Sequence, residues 1–177
     1  NLITSEKKDS TGICFIGERP FPEFVSKYLQ GEVGNIINDK EEVIGSHSGL
    51  AFYTLGQRQG LGIGGVKGAS DLPWYVAKKD LTRNELTCVQ GNNHPLLFSS
   101  ELSTKNLFLL DESIPKDFEG TAKVRYRQHD QKCNISIGNN SLKIVFDEPQ
   151  RSVTPGQSVV IYKDNQCLGG GEISSIN

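Results

Sequence analysis

The chain has 177 residues, of which 36% are apolar, and its 19 Lys and Arg side chains nearly balance 21 Asp and Glu side chains. This composition suits one medium domain or two small ones rather than a disordered segment. The net charge of −2 excludes a histone-like binder, so any nucleic-acid contact must come from a local patch. The longest apolar runs, such as Leu107 to Leu110, are far shorter than the roughly 20 residues that cross a bilayer, which predicts no membrane partner.

The start of the chain and its cysteines give two further expectations. The sequence begins at Asn1 and contains no Met, so we expect it to be part of a longer polypeptide. Its cysteines form no Cys-x-x-Cys pair and have no His at ligand spacing, which predicts no metal site. We expect four free thiols in a reducing compartment, with structural disulfides as the less favoured alternative. The four are Cys14, Cys88, Cys133 and Cys167.

The first half of the chain predicts one helix and then short strands. The helix spans Pro20 to Gln30, where Phe21, Phe24, Val25 and Tyr28 have the spacing of one helical face. Six glycines between residues 56 and 68 predict a long loop, and the polar stretch that ends at residue 113 shows no strand pattern. The predicted strands are Asn35 to Asn38, Glu42 to Ser46, Ala51 to Leu55, Trp74 to Ala77 and Glu85 to Gln90.

The second half predicts five short strands separated by tight turns. Their even spacing favours a small antiparallel barrel, which closes its own edges. The fold class is therefore mainly β, with a small central α/β or β-rich domain over 1–98 and a C-terminal antiparallel β-barrel over 99–177. The five strands are Thr121 to Gln128, Lys132 to Ile137, Leu142 to Phe146, Ser158 to Lys163 and Gln166 to Ile173.

A basic pattern on the first of these strands is a candidate binding site. The two-residue period of a strand sends Lys123, Arg125 and Arg127 to one face, where they would form a basic stripe. Such a stripe is either a solvated sheet face or a contact for the phosphates of a nucleic acid.

The glycine-rich loop is a second candidate. The run from Gly60 to Gly65 fits the letters of a dinucleotide-binding motif, but no βαβ unit surrounds it and no Gly-Lys-Ser/Thr ending follows, so we reject a nucleotide site there. The loop is either a purely structural glycine turn or a flexible lid or binding loop that carries Gln57, Arg58 and Gln59.

Cys14 lies in an apolar run between Gly12 and Gly17, just before the predicted helix. The local sequence fits a small core residue, and it also fits an exposed thiol whose thiolate is favoured by the helix start and by Arg19. Spacing does not choose between the two. We expect Cys14 to be the most reactive of the four thiols, because Cys88, Cys133 and Cys167 lie in runs that look like sheet interior or turn support, a structural role in an apolar setting that raises a thiol pKa.

Taken together, several motifs resemble one family, the tRNA-specific 2-thiouridylases, which older labels call tRNA methyltransferases. The motifs are TGICFIGERPF at 11–21, YTLGQRQGLGIGG at 53–65, VRYRQ at 124–128, FDEPQRSVTPGQSVVIY at 146–162 and GGGEI at 169–173. In that family an ATP-pyrophosphatase domain precedes a small central domain and a C-terminal β-barrel. This chain resembles the last two and the segment that joins them to the first. A methyltransferase activity is disfavoured because no βαβ unit for S-adenosylmethionine is found.

The resemblance implies a chemistry for Cys14. In the family, ATP adenylates the C2 oxygen of the wobble uridine of tRNA, and a cysteine persulfide at the position of Cys14 delivers sulfur to C2. Exchange with a second cysteine, which forms a disulfide, then releases the product. ATP and Mg²⁺ are expected for the full-length enzyme and no cofactor for this chain. A cysteine desulfurase or sulfur-relay protein is the expected donor, in the cytoplasm or, alternatively, in mitochondria.

The resemblance also implies tRNA contacts at Arg125 and Tyr126 and at Gln157. Strand geometry points Arg125 and Tyr126 in opposite directions, so both reach RNA only at a bulge or a strand end. Lys123, Arg127, Gln57 and Arg58 are further candidates. The rival hypothesis is a non-catalytic RNA-binding barrel module.

Overall fold

The computed structural model describes residues 31–66, 68–111, 113–126 and 128–177. The predicted helix at 20–30, Cys14 and Arg127 lie outside these ranges. Within them the chain forms ten β-strands and two short 3-10 helices, at Leu50–Phe52 and Pro95–Leu97. None of the helices found there is long and apolar enough to cross a membrane.

The first four strands form a small mixed sheet, which we call the central sheet. Its order is β2-β1-β4-β3, with β1 and β4 parallel and the other pairs antiparallel. Ile36, Val76 and Leu86 are fully buried at its centre. The strands are β1 (Gly34–Ile37), β2 (Val43–His47), β3 (Trp74–Asp80) and β4 (Glu85–Gln90), which confirms four of the five predicted strands in this half.

The predicted strand at 51–55 is wrong. The chain forms a 3-10 helix over Leu50–Phe52 instead, after a turn at Gly49, whose φ of 139° favours glycine. Leu50 and Tyr53 are buried in the core of the central sheet, so burial rather than strand pairing fixes this segment. The glycine-rich loop that follows leads into β3 and not into a helix, so it lacks the helix N-terminus that a phosphate loop needs.

The next six strands form a closed barrel of order β10-β5-β8-β7-β6-β9. Every barrel pairing is antiparallel, and the core is packed with aliphatic side chains such as Leu102, Ile144 and Ile161. The predicted mainly-β fold with a C-terminal antiparallel barrel is confirmed. The strands are β5 (Phe98–Leu109), β6 (Asp117–Lys123), β7 (Gln131–Gly138), β8 (Ser141–Arg151), β9 (Ser158–Lys163) and β10 (Gln166–Ile176).

The sequence missed β5 and placed β6 wrongly. Three inward positions of β5 are Ser99, Leu102 and Thr104, so polar side chains hide the apolar alternation that marks a strand. Thr104 is accommodated because its Oγ1 accepts a hydrogen bond from the Leu142 amide at 2.8 Å. Strand β6 ends at Lys123 rather than at 128, so the predicted basic stripe on one strand face is wrong.

A substitution at Gly170 tests how closely β9 and β10 approach each other in the barrel. A Cβ at this position would collide with the carbonyl oxygen of Val159, whereas a Cβ at Gly64 in the glycine-rich loop would meet nothing within 4 Å. We predict that Gly170→Ala lowers the free energy of unfolding by about 1–3 kcal/mol and that Gly64→Ala changes it by less than about 0.5 kcal/mol. Urea denaturation measures both, and equal effects would contradict this packing.

Candidate nucleic-acid interface

The predicted contact residues of the barrel gather at one of its ends. Lys123 at the end of β6 pairs with Val160 in β9, so the residues that follow Lys123 lie at the same end as those that precede β9. Arg125 and Tyr126 therefore share this end with Gln157. Strand β8 also ends here, at Arg151. We call this region the barrel end.

Arg125 and Tyr126 belong to a turn. The Gln128 amide donates to the carbonyl oxygen of Arg125 at 3.2 Å, and the Val124 amide donates to Oε1 of Gln128 at 2.9 Å. Val124 is buried, whereas Arg125 is exposed and Tyr126 is 62% exposed. The strand end that both side chains require to face one ligand is therefore present. We call the described residues of this segment, Val124 to Tyr126 and Gln128, the Arg125 turn.

The two described cations of the predicted stripe have different environments. Lys123 forms an ion pair with Asp130, at 3.0 Å between Nζ and Oδ1, and its ammonium lies 5.3 Å from the centre of the Tyr162 ring. Arg125 instead donates from Nη2 to the carbonyl oxygen of Ser152 at 3.2 Å. Lys123 is thus locally neutralised, whereas Arg125 has no carboxylate partner among the described residues and is the better phosphate ligand.

A chain of side-chain hydrogen bonds between three glutamines supports the Arg125 turn. Gln150, which is only 6% exposed, accepts a hydrogen bond from Nε2 of Gln128 at 2.8 Å. Its own Nε2 donates to Oε1 of Gln131 at 3.0 Å and to the carbonyl oxygen of Glu148 at 2.8 Å. We call Gln128, Gln150 and Gln131 the glutamine chain. Because each amide fixes the next, the orientation of the turn is set before any ligand binds.

Ser152 connects the barrel end to the central sheet. Its φ of 52° is left-handed, and its amide donates to the carbonyl oxygen of Leu97 at 2.7 Å. Gly56 lies so close that an added Cβ would collide with the Ser152 hydroxyl. The buried Oγ of Ser152 has no hydrogen-bond partner among the described residues, so the hydroxyl is enclosed by this contact. Backbone strain and close approach coincide at one point of the interface.

Arg151 reinforces the same junction. Its Nε donates to the carbonyl oxygen of Asn92 at 3.1 Å, and its guanidinium lies 5.1 Å from the centre of the Tyr75 ring in β3. A cation over an aromatic face is favourable and geometrically specific. The barrel and the central sheet are therefore held together by contacts that surround Ser152.

The glycine-rich loop brings Gln57 and Arg58 beside Gly56. The Gln57 side chain folds the loop itself, because Oε1 accepts from the Thr54 amide and Nε2 donates to the carbonyl oxygen of Gln59, both at 2.9 Å. Arg58 is exposed. Gln157 is also exposed, and its carbonyl oxygen accepts from the Ile173 amide at 2.8 Å. Arg58 and Gln157 are thus available to a ligand, while Gln57 has a structural task.

The described cysteines differ in environment. Burial raises the pKa of the Cys88 thiol to about 12, and burial together with the negative charge of Asp147 does the same for Cys133. Both fit the predicted structural role. Cys167 is exposed, so its assignment to the sheet interior or to turn support is wrong. The three are free thiols. The reactivity of Cys14 stays a prediction, with Cys167 as its accessible competitor.

Sequence reasoning assigned no role to Gln128, Gln150 or Ser152. All three lie inside family motifs, Gln128 in VRYRQ and the other two in FDEPQRSVTPGQSVVIY, so these motifs were the sequence feature that could have identified them. The sequence alone does not show that the two motifs meet in space. Gln128 and Gln150, like Arg125 and Ser152, are more than 20 positions apart in the chain and become neighbours only when the barrel closes.

Both folded parts of the chain match family models. Residues 22–90 match the tRNA methyl transferase PRC-barrel domain, and residues 99–173 match the aminomethyltransferase beta-barrel domain. The stretch that contains the central sheet and the stretch that forms the closed barrel thus each match one family model.

Comparison with curated proteins identifies the family of the whole chain more narrowly than the two domain matches do. Over 175 residues, or 98% of its length, the chain is 55% identical to proteins named tRNA-specific 2-thiouridylase MnmA from Francisella philomiragia and from Francisella tularensis. The chain belongs to the tRNA-specific 2-thiouridylase family. It spans about half of these relatives, 49% of each protein's length.

Gln150 tests whether the glutamine chain supports the barrel end. Gln150→Leu keeps the side-chain volume but leaves Nε2 of Gln128 and Oε1 of Gln131 without their partner. We predict a loss of about 1–3 kcal/mol in the free energy of unfolding, measured by urea denaturation. The control is Gln166→Leu, because Gln166 is exposed at the start of β10 and should change stability by less than about 0.5 kcal/mol. Equal effects would contradict a supporting role.

Proposed function

We propose that this chain is the RNA-binding and sulfur-carrying part of an enzyme that replaces the C2 oxygen of the wobble uridine of tRNA with sulfur. The observation that carries the proposal is the 55% identity over nearly the whole chain to proteins named tRNA-specific 2-thiouridylase. The barrel end supports it independently, since an exposed arginine, an exposed tyrosine and a preset turn suit RNA.

Cys14 carries the transferred sulfur in this proposal. ATP, with Mg²⁺, is bound by the rest of the full-length protein and converts the C2 oxygen into an adenylate with loss of pyrophosphate. The terminal sulfur of the Cys14 persulfide forms a bond to C2 as AMP leaves. A second cysteine thiolate then attacks Sγ of Cys14, so that a disulfide forms and sulfur remains on uridine. A cysteine desulfurase or sulfur-relay protein supplies the persulfide.

The barrel end grips the RNA. Arg125 contacts a phosphate, Tyr126 and Gln157 contact the nucleotide chain nearby, and Arg58 reaches it from the glycine-rich loop. Lys123 contributes less because Asp130 pairs with it. We include Arg127 among the RNA-contacting residues because it lies in the VRYRQ motif. Gln57 contributes indirectly, because its side chain folds the loop that carries Arg58.

Without the ATP-binding part, the 177-residue chain is expected to bind tRNA but to transfer no sulfur, because the uridine oxygen is then a poor leaving group. We place the full-length enzyme in the cytoplasm. The rival proposal, a non-catalytic RNA-binding module, shares the barrel end but assigns no chemistry to Cys14.

Sulfur transfer by the full-length protein separates the two proposals. We predict that Cys14→Ser abolishes transfer of labelled sulfur to tRNA while tRNA affinity changes by less than about twofold, since only the thiol is lost. Cys167→Ser is the matched control, because Cys167 is exposed and should leave transfer unchanged. Undiminished transfer by Cys14→Ser would refute the role of Cys14 and favour the module.

Arg125 tests the grip on RNA. Arg125→Ala in the full-length protein should weaken tRNA binding and reduce the slope of log affinity against log salt by about 0.7–0.9, the range for one phosphate contact on a single strand or a duplex. Arg83→Ala is the matched control, because Arg83 is a half-exposed arginine in the β3–β4 turn that is paired with Asp80 and Glu85. Filter binding over a salt series measures both. Identical slopes for wild type and Arg125→Ala would exclude a phosphate contact.

A further inference from the structure

A surface depression of about 450 Å³ opens at the barrel end beside the Arg125 turn. This volume lies within the range of about 300–1,000 Å³ that is typical of small-molecule sites. Side chains from the Arg125 turn, from the start of β5 and from the end of β8 line it, among them Phe98, Tyr126, Gln128, Glu148 and Arg151.

The depression has an aromatic wall. Tyr126 is 62% exposed, and Phe98 at the start of β5 is half-buried. The exposed ring stands on a turn that is held by one backbone hydrogen bond, by the bond from the Val124 amide to the Gln128 side chain and by the rest of the glutamine chain. A fixed, solvent-facing aromatic ring is the element on which single-stranded nucleic acids stack their bases.

The floor consists of amides with fixed orientation and spare hydrogen-bonding capacity. Gln128 uses one N–H on Gln150 and one lone pair on the Val124 amide. Gln131 uses one N–H on the carbonyl oxygen of His129 and one lone pair on Gln150. Counting only partners among the described residues, each amide keeps one N–H and one lone pair. A ligand edge that offers both a donor and an acceptor fits this floor.

The charges at the rim complete the site. Arg125 and Arg151 also line the depression and are positioned by carbonyl oxygens rather than by carboxylates. Glu148 is the exposed carboxylate of the lining, and a carboxylate is the acceptor that suits exocyclic amino or ring N–H groups of a base. Cations at the rim with an aromatic wall and amides inside match a nucleotide whose phosphates stay outside while its base enters.

We propose that this depression binds one unstacked nucleobase of single-stranded RNA, stacked on Tyr126 with its edge against Gln128 and Gln131. This inference rests on the proposed function, since it assumes that RNA lies at the barrel end. It adds that the barrel end recognises a nucleobase as well as binding phosphates.

The experiment uses the full-length protein and a hairpin RNA with an anticodon-type loop. One loop nucleotide at a time is replaced by an abasic ribose, which removes the base and keeps every phosphate. At one loop position the loss of the base should weaken binding to wild type by about 5- to 150-fold, the range for one stacked base. Tyr126→Leu should weaken binding of the intact hairpin by a similar factor and should make binding insensitive to the base at that position.

Two variants serve as controls. Tyr126→Phe keeps the ring and should bind like wild type. Phe108→Leu removes an exposed ring from β5, outside the depression, and should also bind like wild type.

Two outcomes would overturn the inference. If every abasic hairpin binds wild type within about twofold while Arg125→Ala still weakens binding, the barrel end holds phosphates only, and the proposed function stands without the base site. If neither base removal nor Arg125→Ala changes binding, both proposals fail.

Discussion

The barrel end depends on the close contact between Gly56 and Ser152. A side chain at position 56 would occupy the space of the Ser152 hydroxyl, so glycine is required for the central sheet to approach the barrel. The left-handed backbone of Ser152 directs its carbonyl oxygen toward two donors, Arg125 at 3.2 Å and the hydroxyl of Thr154 at 3.1 Å. One strained residue thus joins two folded parts and positions the arginine that we assign to RNA.

This arrangement explains how a chain with a net charge of −2 can present a cationic site. Several described cations are compensated locally by a carboxylate, as Lys123 is by Asp130 and Lys143 by Glu101. Arg125 and Arg151 are held by carbonyl oxygens, which orient a guanidinium without cancelling its charge. The glutamine chain fixes the surrounding turn with neutral groups, so the site is rigid and keeps its field.

Hydrophobic alternation predicted the closed barrel and most of its strands, because Ile, Val and Leu at every second position can be buried only on one face of a sheet. It missed β5, where Ser99 and Thr104 face inward and hydrogen bonds replace apolar packing. It also extended the predicted β6 to Gln128, because the alternation of apolar and charged residues continues in the sequence after strand pairing ends at Lys123. The turn is fixed by Gln128 and Gln150, and a contact between distant residues has no local signal. The motifs identified Arg125, Tyr126 and Gln157 as candidates, but only the barrel register places them at one end.

We propose above all that the loop at 54–59, the Arg125 turn and the turn at 154–157 form one RNA-binding surface. Hydrogen–deuterium exchange of the full-length protein, with and without tRNA, measures this directly. We predict that tRNA slows exchange in all three segments together, while exchange at residues 106–110, where β5 ends on the side away from Arg151, is unchanged. Slowed exchange at 106–110 with no change in the three segments would contradict it.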